Sequence, residues 1–114
     1  MNQRISFLLA LSFFIFLTGC KKCNNEDPIA RLINNGTNVA NAQIKDSGGN
    51  IVSITDLAKG GISAEKTYAS GKVEVEVSID GQELTEDVDM NECNSYDITI
   101  SAENKIVVFS RELN

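Results

Sequence analysis

Hydrophobic positions along this chain follow two regimes. Ile5 to Leu17 is an unbroken run of thirteen residues in which only Ser6 and Ser12 are polar. From Ile29 onward, apolar residues come instead in short groups, separated by Asn, Asp, Ser and Gly. The clearest group is Lys72 to Asp80. There Val73, Val75, Val77 and Ile79 share one face, and Lys72, Glu74, Glu76, Ser78 and Asp80 share the other. Strict period two predicts a strand with one buried and one wetted face. Asp80-Gly81 then signals a hairpin turn, and Gln82 to Val88 is a charged strand suited to a sheet edge. Weaker alternation or β-branched runs predict strands over Ile29–Ile33, Val39–Lys45, Ile51–Thr55, Ile62–Tyr68, Tyr96–Ile100 and Lys105–Arg111. Asn34-Asn35-Gly36, Asp46 to Asn50, Asp56 to Gly61 and Ala102-Glu103-Asn104 supply the turns. The single proline, Pro28, precedes the first strand, where a missing donor does no harm. Seven or eight short strands without an amphipathic helix predict an all-β domain, an antiparallel β-sandwich or a small barrel.

The N-terminal run has a different meaning. Spanning a bilayer takes about 20 apolar residues, whereas a signal-peptide core takes about 7–15. With Asn2-Gln3-Arg4 before it, the run reads as a secretion signal. Leu17-Thr18-Gly19-Cys20 resembles the lipobox of bacterial lipoproteins, which implies lipidation of Cys20 and cleavage before it. The expected organisation is a lipoprotein signal peptide over 1–19, a lipidated short linker over 20–28 and a β-sandwich domain over 29–114. Apart from the covalent lipid no cofactor is expected. Each buried lipid CH₂ contributes about 0.8 kcal/mol to membrane attachment.

Charge and composition narrow the chemistry. Setting aside Arg4, nine Lys/Arg face sixteen Asp/Glu, a net charge of −7. Nucleic acid, which requires a basic footprint, is thereby excluded as a partner. The chain has no histidine, so neither a Ser-His-Asp nor a Cys-His nucleophile can be assembled. Imidazole zinc sites are excluded as well. Of the three cysteines, lipidation removes Cys20. Cys23 and Cys93 then remain as the only intramolecular pair in an oxidising compartment. Two unpaired or intermolecular thiols are the alternative. A redox Cys-x-x-Cys at Cys20-Lys21-Lys22-Cys23 is a further one, although that motif normally opens a helix after a strand.

Carboxylates form the densest polar group: Asp80, Glu83, Glu86, Asp87, Asp89 and Glu92. Convergence of Asp80, Glu83, Asp87 and Asp89 would suit calcium, which takes 6–8 oxygens. An EF-hand frame laid from Glu76 fails, because Ser78 is a poor ligand and the frame begins inside a strand. A solvated edge explains the same charges. Glu74 and Glu76 have a separation suited to a glycosidase pair. The mature chain nevertheless has only Tyr68, Tyr96 and Phe109 as aromatics, and the pair reads as a wetted face. Tyr96 is expected in the core and Tyr68 at a strand end. Asn35-Gly36-Thr37 matches a glycosylation sequon but reads as turn chemistry.

Leu17 to Lys22 and the polar stretch after it resemble the small lipoproteins of Bacteroidota. Ile33 to Thr37 with Val39 to Ile44 resembles the opening hairpin of their β-sandwich domains, of the immunoglobulin-like or transthyretin-like kind. Asp56 to Ser63 and Val73 to Gly81 resemble a glycine turn and the strand that follows. The resemblance implies no catalytic residue. It implies a membrane-anchored, non-catalytic binding or structural module of the cell envelope, at the outer membrane, contacting an envelope protein or extracellular ligand. Lys21 and Lys22 stand where an acidic surface-export signal would lie, so the periplasmic and surface faces both remain open. The alternatives are a calcium- or carbohydrate-binding lectin-like domain and an accessory domain of an envelope enzyme system.

Overall fold

The computed structural model describes residues 23–113, so the signal segment and Cys20 lie outside the described residues. Eight strands follow in order: β1 (Ile29–Asn34), β2 (Ala40–Lys45), β3 (Ile51–Leu57), β4 (Lys66–Thr67), β5 (Gly71–Ile79), β6 (Gln82–Met90), β7 (Asn94–Ile100) and β8 (Ile106–Glu112). They form two four-stranded sheets, ordered β4-β1-β7-β8 and β3-β2-β5-β6.

Side-chain alternation fixes the faces. Val73, Val75, Val77 and Ile79 of β5 are all buried, because a pleated strand sends alternate residues to one side. Ala40, Ala42 and Ile44 of β2 face the same way, with Asn41, Gln43 and Lys45 in solvent. From the other sheet, Ala30, Leu32, Tyr96, Ile98 and Ile100 close the core. Tyr68, directly after β4, joins them at 2% exposure, packed at a strand end as expected. The Tyr96 hydroxyl accepts a 2.7 Å bond from the Asn91 amide, locking the corner between β6 and β7.

Several elements depart from the sequence expectation. β1 and β2 do not form a hairpin; they lie in different sheets, and β1 pairs in parallel with β7. The Asn35-Gly36 turn is therefore a corner between layers. Gly36 fits closely there, since a Cβ would come within 2.7 Å of both Asn104 Oδ1 and Ile79 Cδ1 and would push those side-chain ends aside. β3 does not stop at Thr55. Ala42 pairs with Ile54 but Ala40 with Leu57, a bulge that adds one residue on β3. Asp56 adopts φ +53° within it, and Leu57 is thereby turned back toward the core. The expected strand over Ile62–Tyr68 shrinks to an isolated bridge at Ile62 and the two residues of β4.

The strands define two ends of the sandwich. The proximal end carries Cys23, the β2–β3 turn, the β4–β5 loop, the β6–β7 corner and Leu113. The distal end carries residues 35–39, 58–65, 80–81 and 101–105.

Candidate functional site

At the proximal end Cys23 and Cys93 are disulfide-bonded, with Cα atoms 5.8 Å apart and 70 residues between them in sequence. Backbone bonds surround the bridge. Cys93 N donates to Glu26 O at 2.8 Å, and Leu113 N to Cys93 O at 2.9 Å. Pro28 is buried, and its carbonyl accepts from Tyr68 N at 2.9 Å. The stretch after Cys23 thus lies docked against the domain. Asp46, 5% exposed, organises the same end. Its carboxylate accepts from the amides of Gly48, Asn50 and Ala69 at 2.9–3.0 Å. These bonds, Ala69 foremost, hold its carboxyl below the usual range against the opposing effect of burial. Burial in turn pushes the Tyr68 phenol up to about 12, with the Asp46 charge adding to it.

The distal end is a second polar network. Thr37 N donates to Asn104 Oδ1 at 3.0 Å, and Asn104 Nδ2 returns a 2.9 Å bond to the Thr37 hydroxyl. That hydroxyl donates to Asp80 Oδ2, and Asn38 Nδ2 donates to Asp80 Oδ1 at 3.0 Å. The Thr37 bond first and the Asn38 bond second hold the Asp80 carboxyl low. Asp80 therefore serves its own turn. The sequence grouped it instead with Glu83, Asp87 and Asp89. Those three lie on β6 at even spacings along one outer face, so Glu83 and Asp87 are separated by about 13 Å. Asp87 pairs with Lys72 at 3.4 Å. Among the described residues no three acidic or cysteine side chains are grouped to hold a metal ion. Glu74 and Glu76 stand on the outer face of β5 opposite Lys45 and Gln43.

Two further surfaces were not singled out by the sequence. The outer face of the β3-β2-β5-β6 sheet holds a shallow depression of about 270 Å³, lined by Asn41, Gln43, Ser53, Thr55, Glu76 and Ser78 among others. On the opposite sheet, β8 forms an edge that exposes Val107 (40%) and Phe109 (59%). A strand over Lys105–Arg111 was visible in the sequence as the apolar run Ile106 to Phe109. That its odd positions lie at a free edge depends on the strand order.

No protein-family model matches the chain, and no curated protein matches it. Among solved structures it is similar to a "putative cell adhesion protein" from Bacteroides ovatus, at 15% identity and a TM-score of 0.49. The match covers 76% of this chain and 44% of that one, so the chain spans less than half the length of that protein.

Proposed function

We propose that this protein is a lipid-anchored, non-catalytic binding or structural module of the cell envelope, attached at the outer membrane through Cys20. The observation that carries the reading is the Cys23–Cys93 disulfide at the end of the sandwich where the chain enters. Such bonds persist in oxidising compartments outside the cytosol, in keeping with the signal segment. Cys23 lies three residues after Cys20, so the bridge joins the domain to its anchor with almost no slack. The absence of histidine from the sequence supports a binding role over hydrolytic catalysis. Of the two sandwich types, the transthyretin-like one suits the strand order better. In the immunoglobulin pattern the first strand pairs with the second within one sheet, whereas here β1 lies between β4 and β7.

Cell fractionation of wild type and Cys20→Ala tests the anchor. Wild type should sediment with membranes, and the variant should be recovered in the soluble fraction. Retention of Cys20→Ala in the membrane pellet overturns the reading. The depression on the β3-β2-β5-β6 face favours carbohydrate as a second reading, because its amides and hydroxyls suit a polyol. A melting temperature that rises with added oligosaccharide would support it.

A further inference from the structure

The sandwich has four edge strands, and three of them are blunted. β4 is two residues long, β3 keeps regular register only from Ile51 to Ile54 before the bulge at Asp56, and β6 carries Glu83, Glu86, Asp87 and Asp89. Short strands, bulges and charge all discourage pairing with another chain. β8 differs: it runs seven residues in unbroken register with β7. Flanking that ladder, Ser101 N donates to Lys105 O and Leu113 N to Cys93 O. Bonded and non-bonded pairs alternate in antiparallel strands. Odd-numbered residues of β8 therefore bond to β7, while Ile106, Val108, Ser110 and Glu112 direct their N–H and C=O groups to the open edge. Among the described residues none of these eight groups has a partner outside the β7 ladder. The outer face beside them presents Val107, Phe109 and Arg111 in a row. Arg111 lies opposite Ser95, and the ion pairs among the described residues are Arg31–Asp97 and Lys72–Asp87.

We propose that β8 receives an extended segment of another envelope protein as an added antiparallel strand, with apolar residues facing Val107 and Phe109 and a carboxylate facing Arg111. Main-chain bonds would supply affinity, and alternate side chains the choice of partner. This inference rests on the anchored reading above, and the acidic charge of the chain disfavours a second copy as the occupant. Two β8 strands paired antiparallel about Phe109 would satisfy all eight groups. Each copy without Arg4 nevertheless carries a net charge of −7, and that like charge opposes joining two copies along this edge.

The test uses the full chain purified in nonionic detergent and two synthetic nine-residue peptides of alternating Val and Thr. One carries Glu, the other Lys, at the position facing Arg111. The Glu peptide should bind at least tenfold more tightly at low salt, with the difference shrinking in 0.5 M NaCl to about half or less. Amide resonances of Ile106, Val108, Ser110 and Glu112 should shift most. Arg111→Glu should reverse the preference, and Ser110→Pro, which removes an edge donor, should abolish binding. Equal binding of both peptides, no binding, or shifts confined to other strands overturns the proposal. So does a β8-mediated dimer in sedimentation that excludes the peptide, which would identify a second copy as the occupant. Peptide binding in detergent requires no membrane, so its failure is distinct from failure of the anchor test.

Discussion

Asn34 is fully buried at the distal end, yet every polar atom of its side chain is used. Nδ2 donates to Asn38 O at 2.8 Å and Leu57 O at 2.9 Å, and Oδ1 accepts from Gly36 N at 2.9 Å. It therefore ties the corner after β1 to the end of β3, across the two sheets. Asn34→Ala would strand three backbone groups and should cost about 3 kcal/mol in urea unfolding. Asp46 does the corresponding work at the proximal end, and its depressed carboxyl makes the effect pH-dependent. A folded-state value below the unfolded one of about 3.9 contributes stability that is fully present above that pH and is lost as pH falls through the folded value. Asp46→Asn should lower stability at pH 7 and flatten the acid limb of the stability curve, read from unfolding midpoints between pH 2 and 6. In the sequence both residues looked like turn formers, and nothing local distinguished them from Asn35 or Asp56. Burial and the long-range bonds to Leu57 and Ala69 are what set them apart.

The β5–β6 hairpin is the element most legible in the sequence. Strict alternation placed β5, and Asp80-Gly81 placed the turn, with φ of +50° and +73° at its two central residues. Both values are positive, as a two-residue type I′ connection requires. Gly81→Ala forces a Cβ into the left-handed region and should cost about 1–2 kcal/mol, visible as a lower thermal midpoint with unchanged strand content. β2 and β3 were harder to read. Ala40 and Ala42 give little hydrophobic contrast, and the bulge at Asp56 shifts the phase between Ile54 and Leu57. A period-two reading cannot follow a strand through a phase shift. β4 was over-read for the opposite reason: Ile62 to Tyr68 has strand-like residues, but only Ile62, Lys66 and Thr67 pair, each with β1.

Across the whole molecule, the disulfide closes a 70-residue loop that takes in β1 to β6, six of the eight strands. In the chain-entropy model such a bridge contributes about 4 kcal/mol by restricting the unfolded chain. Cys23→Ala combined with Cys93→Ala should lower the melting temperature by roughly 15–30 °C for a domain of this size, measured by calorimetry. The acidic surface is unevenly distributed: Glu74, Glu76, Glu83, Asp87 and Asp89 face outward from one sheet. On the outer face of the other sheet, Asp97 is paired with Arg31 at 2.9 Å. The exposed apolar residues are divided: Phe109, Val107 and Ile62 belong to this second side, while Ile51 on β3 and Val39 before β2 belong to the first. That asymmetry follows from strand order, which gathers charges distant in sequence onto one sheet.

The sequence by itself determined the strand-rich class, the β5–β6 hairpin, the absence of histidine chemistry and the pairing options of the cysteines. Each of these depends on residue type, spacing or count, which are local properties. Only the tertiary structure decided that β1 and β2 part into separate sheets, that β1 runs parallel to β7, and that Asn34 and Asp46 are buried. It also decided that Asp80 bonds within its own end of the sandwich while Glu83, Asp87 and Asp89 line up along β6. Alternation tells which side of a strand is apolar, but not which strand lies beside it. Long-range pairing makes that choice, and it is what leaves β8 with an open edge.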